Sequence, residues 1–296
     1  MKLLLDTDIG TNIDDTLCLS YILRKKECEL LGITTVTGQP ERRTVLAEAL
    51  CREAGCIVPV FPGAGEPLLI PQKQTDLNFS LLPSSEGNIS CCRGPWRGIE
   101  FLREQIRRYP HEVTLLTIGP LTNAALLFLM DPEIPSLLKC LCSMIGVFSG
   151  KGKSLSGIET NARLDPQAAA LVFQKARSII QIVSLDTTLY LKKSLNEMEP
   201  FIDRLEGNEL KRAFKTWFSV HSEVCFHDPL AAAVLFIPEI CTFEKTCATI
   251  NITADENSGE TGIGISGKDP AIQIASSVDE QIFFQEFFRA FNYWDF

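Results

Sequence analysis

The sequence predicts an α/β fold, with one domain over residues 1–296 built on a mostly parallel, Rossmann-like open sheet. Helices are expected on both faces of the sheet, with a small β-hairpin region near the C-terminus. Three observations predict this. Short β-rich runs alternate with stretches of helical periodicity. Proline and glycine mark the starts and ends of those stretches. No long linker, composition break or internal repeat divides the chain.

The predicted elements cover the chain in order. The first strand is an apolar run that ends in acids, and the acids that open the first helix suit its dipole. Pro40 opens the second helix, Gly55 closes it, and Asp165-Pro166 begins a later one. Strands are predicted at 2–6, 29–37, 58–61, 113–118, 138–148 and 179–183, with a β-rich segment at 242–274. Helices are predicted at 14–25, 40–55, 96–109, 121–130 and 278–291. A further helix begins at 165, several helical stretches follow residue 183 up to 236, and a polar loop is predicted at 149–164.

Charge and composition narrow the expected partners. Apolar residues make up 45% and charged residues 22%, which is typical of a globular protein with a sizeable core. The net charge of -9 and the lack of a basic run disfavour nucleic-acid polymers and anionic membranes, but not a neutral small molecule. The apolar N-terminal run is too short for a signal peptide and no run reaches the length of a membrane span, so a cytoplasmic location is expected. The 11 cysteines form no C-x-x-C pair, which favours reduced core thiols over a zinc site.

The densest chemical signal is a run of acids directly after the first strand. Asp6 and Asp8 are two residues apart, and Asp14 and Asp15 follow at the start of the first helix. Two unit charges about 4 Å apart repel by roughly 4 kcal/mol at an effective dielectric of about 20. Either some of these carboxyls are protonated or a hard cation holds them, and oxygen ligands indicate calcium or magnesium. The alternative is a solvated acidic loop in which Asp14 caps the helix.

These acids and several later stretches resemble the inosine-uridine preferring nucleoside hydrolases. Residues 6–15, DTDIGTNIDD, are similar to the family's D-x-D-x-x-x-D-D signature in a longer variant with two extra residues. Later matches follow in the family's order: LTIGPLTN at 116–123, ETN at 159–161 before Asp165-Pro166, HDPL at 227–230 and ASSVD at 275–279. The resemblance covers essentially the whole chain. It implies a calcium-dependent enzyme that cleaves the bond between base and ribose of a nucleoside with water.

The resemblance also implies a role for individual residues. Calcium would be held by Asp8, Asp15, the main-chain carbonyl of Thr117 and Asp228, and would lower the pKa of a water molecule whose proton Asp8 takes as general base. His227 is the natural acid to protonate the leaving base, since histidine titrates near neutrality. The substrate would be bound by Asp228 and by five further residues, namely Asp14, Gln39, Met144, Glu159 and Asn161.

The sequence departs from the family pattern at three positions. Asn12 stands where the longer variant often has another acid, and Gln39 stands where an asparagine is usual. Lys153 lies near the sequence position at which the family has an asparagine that contacts ribose. The metal ligands are intact, so these changes bear on the substrate and the activity level. The Lys153 ammonium either points into solvent or binds an anionic group such as a phosphate on the ribose. A competition assay between a nucleoside and its 5′-phosphate distinguishes these two alternatives.

Two other functions stay open at this point. A magnesium phosphohydrolase of the haloacid dehalogenase type also opens with an apolar strand and D-x-D, with Asp6 as nucleophile, although it needs its second acidic pair far downstream. The other alternative is a family member that binds a nucleoside with little turnover. The preferred base is also open, since the stacking partner typical of a purine site could be Trp96, Trp217 or Phe226. The family commonly forms homodimers or homotetramers, which is the expectation for this chain.

Overall fold

Strands and helices alternate along the part of the chain that the computed structural model describes, which is residues 1–74, 94, 96–148, 158–176, 179–264 and 272–294. The strands are β1 (Lys2–Thr7), β2 (Glu29–Thr35), β3 (Val60–Pro62), β4 (Val113–Thr117), β5 (Cys140–Met144), β6 (Ile180–Val183), β7 (Lys192–Ser194), β8 (Glu223–Cys225), β9 (Cys241–Thr246), β10 (Ala248–Ile250), β11 (Thr261–Ile263) and β12 (Ile272–Val278). The helices are α1 (Asp14–Ile22), α2 (Pro40–Glu53), α3 (Trp96–Arg108), α4 (Thr122–Met130), α5 (Ile134–Leu137), α6 (Thr160–Leu164), α7 (Pro166–Lys175), α8 (Leu185–Thr188), α9 (Leu195–Arg204), α10 (Asn208–Phe218), α11 (His227–Ala233) and α12 (Glu280–Ala290).

One open sheet organises the described residues, with the strand order β3-β2-β1-β4-β5-β6-β12-β9. Neighbouring strands are parallel except β12 and β9, which are antiparallel. The chain runs outwards from β1 to β3, returns beside β1 as β4, and then runs outwards the other way through β5 and β6. The strand order therefore reverses between β1 and β4. Open α/β sheets bind ligands at such a reversal, beyond the carboxyl ends of the strands.

Helices pack on both faces of this sheet because successive strand residues point to opposite sides. Leu3 and Leu5 of β1 belong to a hydrophobic cluster that includes residues of α1, α10, α11 and α12. Leu4 belongs to a second cluster with residues of α3, α4 and α7. Burial on both faces explains why three leucines follow one another in β1 instead of alternating with polar residues. Within the described residues, no helix combines the length and apolarity that crossing a membrane requires.

The predicted α/β fold is confirmed, and some element bounds differ. The strand predicted at 138–148 ends at Met144, and the helix predicted at 14–25 ends at Ile22. α6 begins inside the segment predicted as a polar loop, because the Glu159 side chain caps its first N–H groups. The stretch predicted as helical up to 236 also contains the antiparallel pair β7–β8, whose three-residue strands are too short to show a period of two. The hairpin region is present as the antiparallel pair β10–β11.

Candidate active site

A cavity of about 470 Å³ lies at the carboxyl edge of the sheet. It is lined by Met144, the last residue of β5, and by Ile118 and Leu185, which follow β4 and β6. Carboxylates and an imidazole line it together with apolar side chains. Eight of the residues proposed from sequence line it, namely Asp8, Asp14, Asp15, Met144, Glu159, Asn161, His227 and Asp228. The fold therefore brings together side chains that are widely separated in sequence.

Three of these carboxyls form a tight cluster. Asp14 and Asp15 lie in the first turn of α1 and Asp228 lies in the first turn of α11, and these two helices pack against each other. One oxygen from each lies within 4.8 Å of the others, and all three side chains are buried. Burial raises the pKa of all three, to about 7 for Asp14, and repulsion from neighbouring acids adds to the rise. At Asp14 a hydrogen bond with Asp228 opposes it. Oxygen donors at this spacing could hold a metal ion.

The turn after β1 places Asp8 beside this cluster, where it also raises the pKa values of the other three acids. Gly10 provides the turn, with a φ of 106° that favours glycine. Gly119, after β4, has no room for a side chain, because a Cβ there would lie 3.0 Å from both the main-chain nitrogen and the Oδ1 atom of Asp8. Gln74 donates a hydrogen bond to the Asp8 carboxyl. Asp8 lines the cavity but is not one of the three carboxyls within 4.8 Å of one another.

A fully buried arginine holds the same turn from α2. The Arg43 guanidinium donates to the main-chain carbonyls of Thr37 at 2.8 Å and Ile9 at 3.1 Å, and also to that of Asp8. It donates as well to the Thr11 hydroxyl at 2.9 Å. Its charge opposes the rise that burial causes in the pKa of Asp8. Arg43 therefore provides fixed positive charge and hydrogen bonds behind the acidic turn.

Arg43 and Gln74 contact the acidic turn but were not predicted from the sequence. A signal for Arg43 was present, because it lies on the same face of α2 as the buried Ala47 and Leu50, four and seven residues later. An arginine in an apolar stripe is rarely buried without partners. Gln74 lies in an irregular segment, where no periodic pattern marks a side chain as facing a site.

Arg43→Met is expected to lower the free energy of unfolding by about 3–5 kcal/mol, because it leaves buried carbonyls and acids without their cation. Denaturant unfolding in the presence of calcium measures this change. Arg42→Met is the matched control on the neighbouring, partly exposed residue, and should cost less than about 1 kcal/mol. Equal losses in the two variants would contradict the role given to Arg43.

Glu159 and Asn161 line the cavity and also build its wall. The Glu159 carboxylate accepts hydrogen bonds from three main-chain N–H groups at 2.6 to 3.0 Å, two of them in the first turn of α6. Burial raises the pKa of Glu159, and these N–H groups oppose the rise. The Asn161 side-chain amide donates to the carbonyls of Ile118 at 3.1 Å and Met144 at 3.0 Å. These bonds fix both side chains before a substrate arrives.

His227 begins α11, and its Nδ1 atom lies 2.7 Å from the Thr188 hydroxyl. Burial, with a smaller contribution from Lys192, lowers the pKa of His227 to about 4. The expectation that this histidine titrates near neutrality is therefore wrong, because burial disfavours its charged form. The ring is neutral at neutral pH, and a neutral imidazole can still donate one N–H hydrogen bond to a substrate.

Two proposed residues are absent from the described lining of the cavity. Gln39 precedes α2, and its side-chain carbonyl accepts a hydrogen bond from Arg42 at 3.3 Å. Thr117 ends β4, and its hydroxyl donates to the carbonyl of Cys142 at 3.4 Å, although the next residue, Ile118, does line the cavity. Asn12 lines the cavity and is exposed. Lys153 lies outside the described residues.

The aromatic residues considered as stacking partners for the base are not among the described lining residues either. Trp96 is largely exposed at the start of α3. Trp217 stacks on His221, with ring centroids 3.8 Å apart. Phe226 is fully buried, where it packs against the aromatic rings of α12. The aromatic character of these three residues therefore did not by itself identify a side chain that lines the cavity.

Asp6 is fully buried and is not part of the described cavity lining. Thr34 and Asn123 donate to its Oδ1 atom at 2.6 and 2.7 Å. Burial raises the pKa of Asp6 to about 7. A nucleophile must reach the substrate, and the phosphohydrolase alternative requires Asp6 in that role. That alternative is therefore wrong.

The cavity, with its carboxylates and imidazole, is a site for a small polar molecule with side chains that can accept or donate protons. The sequence profile of the inosine-uridine preferring nucleoside hydrolases matches residues 3–285, and the chain belongs to this family. It is therefore a hydrolase that acts on the N-glycosyl bond of ribonucleosides.

Individual relatives agree with this assignment. Uridine nucleosidase 1 of Arabidopsis thaliana is 32% identical over 266 residues, which cover 82% of this chain and 76% of the relative. A non-specific ribonucleoside hydrolase of Salmonella enteritidis is 32% identical over 307 residues, which cover 99% of this chain and 98% of the relative. The structure of a purine-preferring ribonucleoside hydrolase from Gardnerella vaginalis has a TM-score of 0.84 at 24% identity and covers 98% of both chains. The last likeness establishes the fold.

Proposed function

We propose that this hydrolysis depends on a calcium ion held by Asp8, Asp15, Asp228 and the main-chain carbonyl of Thr117. The observation that carries the proposal is the cluster of buried carboxyl oxygens within 4.8 Å of one another at the cavity, to which the proposed ligands Asp15 and Asp228 belong together with Asp14. Asp8 lines the cavity beside this cluster. All the donor atoms are oxygens, which calcium prefers, and a cation would relieve the repulsion among the acids. When bound, such an ion supplies Lewis acidity that lowers the pKa of the attacking water.

The side chains of the cavity would carry out the remaining steps. Asp8 accepts the proton of the attacking water as general base. Cleavage builds positive charge on the ribose ring, and the carboxylates of Asp14 and Glu159 stabilise that charge. Asp228, Asn161 and Met144 complete the contacts with ribose. Gln39 is left out of this set, because its side chain bonds to Arg42 and does not line the described cavity.

The leaving base requires a donor and an apolar environment. His227 presents a neutral imidazole to the cavity and can donate a hydrogen bond to the base as the glycosidic bond breaks. Four aliphatic side chains of the cavity are suited to the faces of a planar base, namely Val147, Ile158, Leu185 and Leu189. The cavity of about 470 Å³ is within the size range of small-molecule sites.

A panel of purine and pyrimidine ribonucleosides tests the proposal directly. Release of free base and ribose that stops with a chelator and returns with calcium supports it. Hydrolysis that is unaffected by complete removal of metal would contradict the calcium assignment. Binding of a nucleoside without release of base would instead support the family member with little turnover. By resemblance to the family we also propose a homodimer or homotetramer, and a monomer in sedimentation would contradict that.

Calcium is expected to raise the Tm of chelator-treated protein more at about pH 8 than at about pH 5. Burial raises the pKa of the proposed ligands Asp15 and Asp228 well above the ordinary 3.8 and that of the neighbouring Asp14 to about 7, so protons neutralise these acids at the lower pH. The ion-free folded state therefore loses stability as the pH rises from about 4 to about 7, and a cation offsets that loss at the upper end. Scanning calorimetry with calcium or a chelator measures the increment.

Magnesium is the control ion. It should raise the Tm less than calcium does, because magnesium requires stricter octahedral geometry and releases its bound water reluctantly. Asp203→Asn provides the protein control on an exposed acid outside the cavity lining, and it should keep the increment of the unaltered protein. A calcium-induced rise in Tm that is equal at both pH values, or larger at the lower pH, would mean that Asp8, Asp15 and Asp228 do not bind the ion.

A further inference from the structure

Thr188, at the end of α8, contacts the catalytic histidine from outside the set of proposed site residues. Its side chain is fully buried, and its hydroxyl oxygen lies 2.7 Å from Nδ1 of His227. His227 lines the cavity, so the bond at Nδ1 leaves Nε2 as the ring nitrogen available to a substrate. The structure therefore distinguishes the two nitrogens of this ring.

The direction of this hydrogen bond follows from the partners of Thr188. A buried hydroxyl group places its hydrogen on an acceptor. The nearby carbonyl of Ser184 accepts from the Thr187 hydroxyl and from the main-chain N–H of Thr188. Among the described residues, Nδ1 of His227 is the hydrogen-bond partner of the Thr188 hydroxyl, with no second one. If Nδ1 itself carried a hydrogen, the hydroxyl hydrogen would have no acceptor there, so the hydroxyl donates to Nδ1.

We propose that Thr188 is a positioning residue that fixes the Nε2–H tautomer of His227, so that the ring points an N–H donor at the leaving base. The hydrogen bond made by one ring nitrogen determines which nitrogen of a neutral histidine carries the proton. In the other tautomer, Nε2 presents a lone pair to the acceptor atoms of a purine or pyrimidine and cannot donate to them. The catalytic part of this proposal rests on the proposed role of His227 in hydrolysis.

Nitrogen NMR of the ring tests the tautomer without any assay of activity. The chain has three histidines, so two-bond proton–nitrogen spectra contain three ring patterns, and His227→Gln identifies the one that disappears. The unaltered protein should show the Nε2–H pattern for His227. Thr188→Val should weaken or reverse that pattern, while Thr188→Ser, which keeps the hydroxyl, should retain it. An Nδ1–H pattern in the unaltered protein, or an unchanged pattern in Thr188→Val, overturns the proposal.

Kinetics test the consequence. Thr188→Val is expected to lower kcat for inosine and uridine about tenfold with little change in KM, since one hydrogen bond is lost. The loss should be absent for a 4-nitrophenyl riboside, whose leaving group needs no donor, and Thr188→Ser should restore kcat on the nucleosides. Equal losses on both kinds of substrate would reduce Thr188 to a structural residue and overturn the proposal. If the unaltered protein hydrolyses no nucleoside, the proposed function fails, and the NMR pattern alone decides the tautomer.

Discussion

Asp228→Asn is expected to lower kcat/KM for a ribonucleoside by about 10³-fold. The substitution removes one carboxylate from the buried cluster with Asp14 and Asp15, and with it a ligand of the proposed ion. A catalytic metal ion is worth several kcal/mol of transition-state stabilisation, and about 1.4 kcal/mol corresponds to a factor of ten. Steady-state kinetics at saturating calcium measure the loss, and calorimetric titration of chelator-treated protein should show weaker calcium binding.

Asp203→Asn is the matched control for this experiment, because Asp203 is exposed in α9 and does not line the described cavity. It should change neither kcat/KM nor calcium affinity. The ion-free Asp228→Asn protein should also be at least as stable as the unaltered protein, since it removes a buried, repelling acid. A loss of activity that is fully explained by unfolding, or unchanged calcium affinity, would remove Asp228 from the metal site.

His227→Ala is expected to lower turnover of inosine or uridine by about 10²–10³-fold, the usual size of the loss of one preorganised hydrogen-bond donor to developing negative charge. The base leaves poorly as an anion, and His227 is the imidazole that lines the described cavity. The loss should nearly vanish on a 4-nitrophenyl riboside, because nitrophenolate leaves without a proton. Parallel assays of both substrates measure the difference.

His221→Ala is the control for this comparison, since His221 is exposed and its ring stacks on Trp217 away from the described cavity lining. It should behave as the unaltered protein on both substrates. If His227→Ala lost the same factor on the nucleoside and on the nitrophenyl riboside, His227 would act on the ribose or on folding, and the leaving-group role would be withdrawn.

Predictions from the sequence agree closely with the structure where they rest on a pattern of a few neighbouring residues. Asp165-Pro166 was predicted to begin a helix, and the Asp165 side chain does accept from the N–H of Ala168 at the start of α7. Glu159 shows where a local pattern has two meanings. It was expected to bind the substrate, and its carboxylate both caps α6 and lines the cavity.

The sequence by itself determined the class of fold and three acids of the site. Alternating β-rich and helical periods predict a parallel sheet, since side-chain period follows from backbone geometry over a few residues. An acidic run after an apolar strand likewise predicts carboxylates at the carboxyl end of that strand, where Asp8, Asp14 and Asp15 lie. These inferences need only neighbours in sequence.

The tertiary structure alone decided which of these groups meet and how they ionise. Packing of α1 against α11 brings Asp14, rather than Asp8, into the closest cluster with Asp228. Burial lowers the pKa of His227 to about 4, and its partner Thr188 lies 39 residues earlier. Arg43 reaches the acidic turn from another helix. Desolvation and long-range hydrogen bonds depend on what packs around a side chain, and no local period records that.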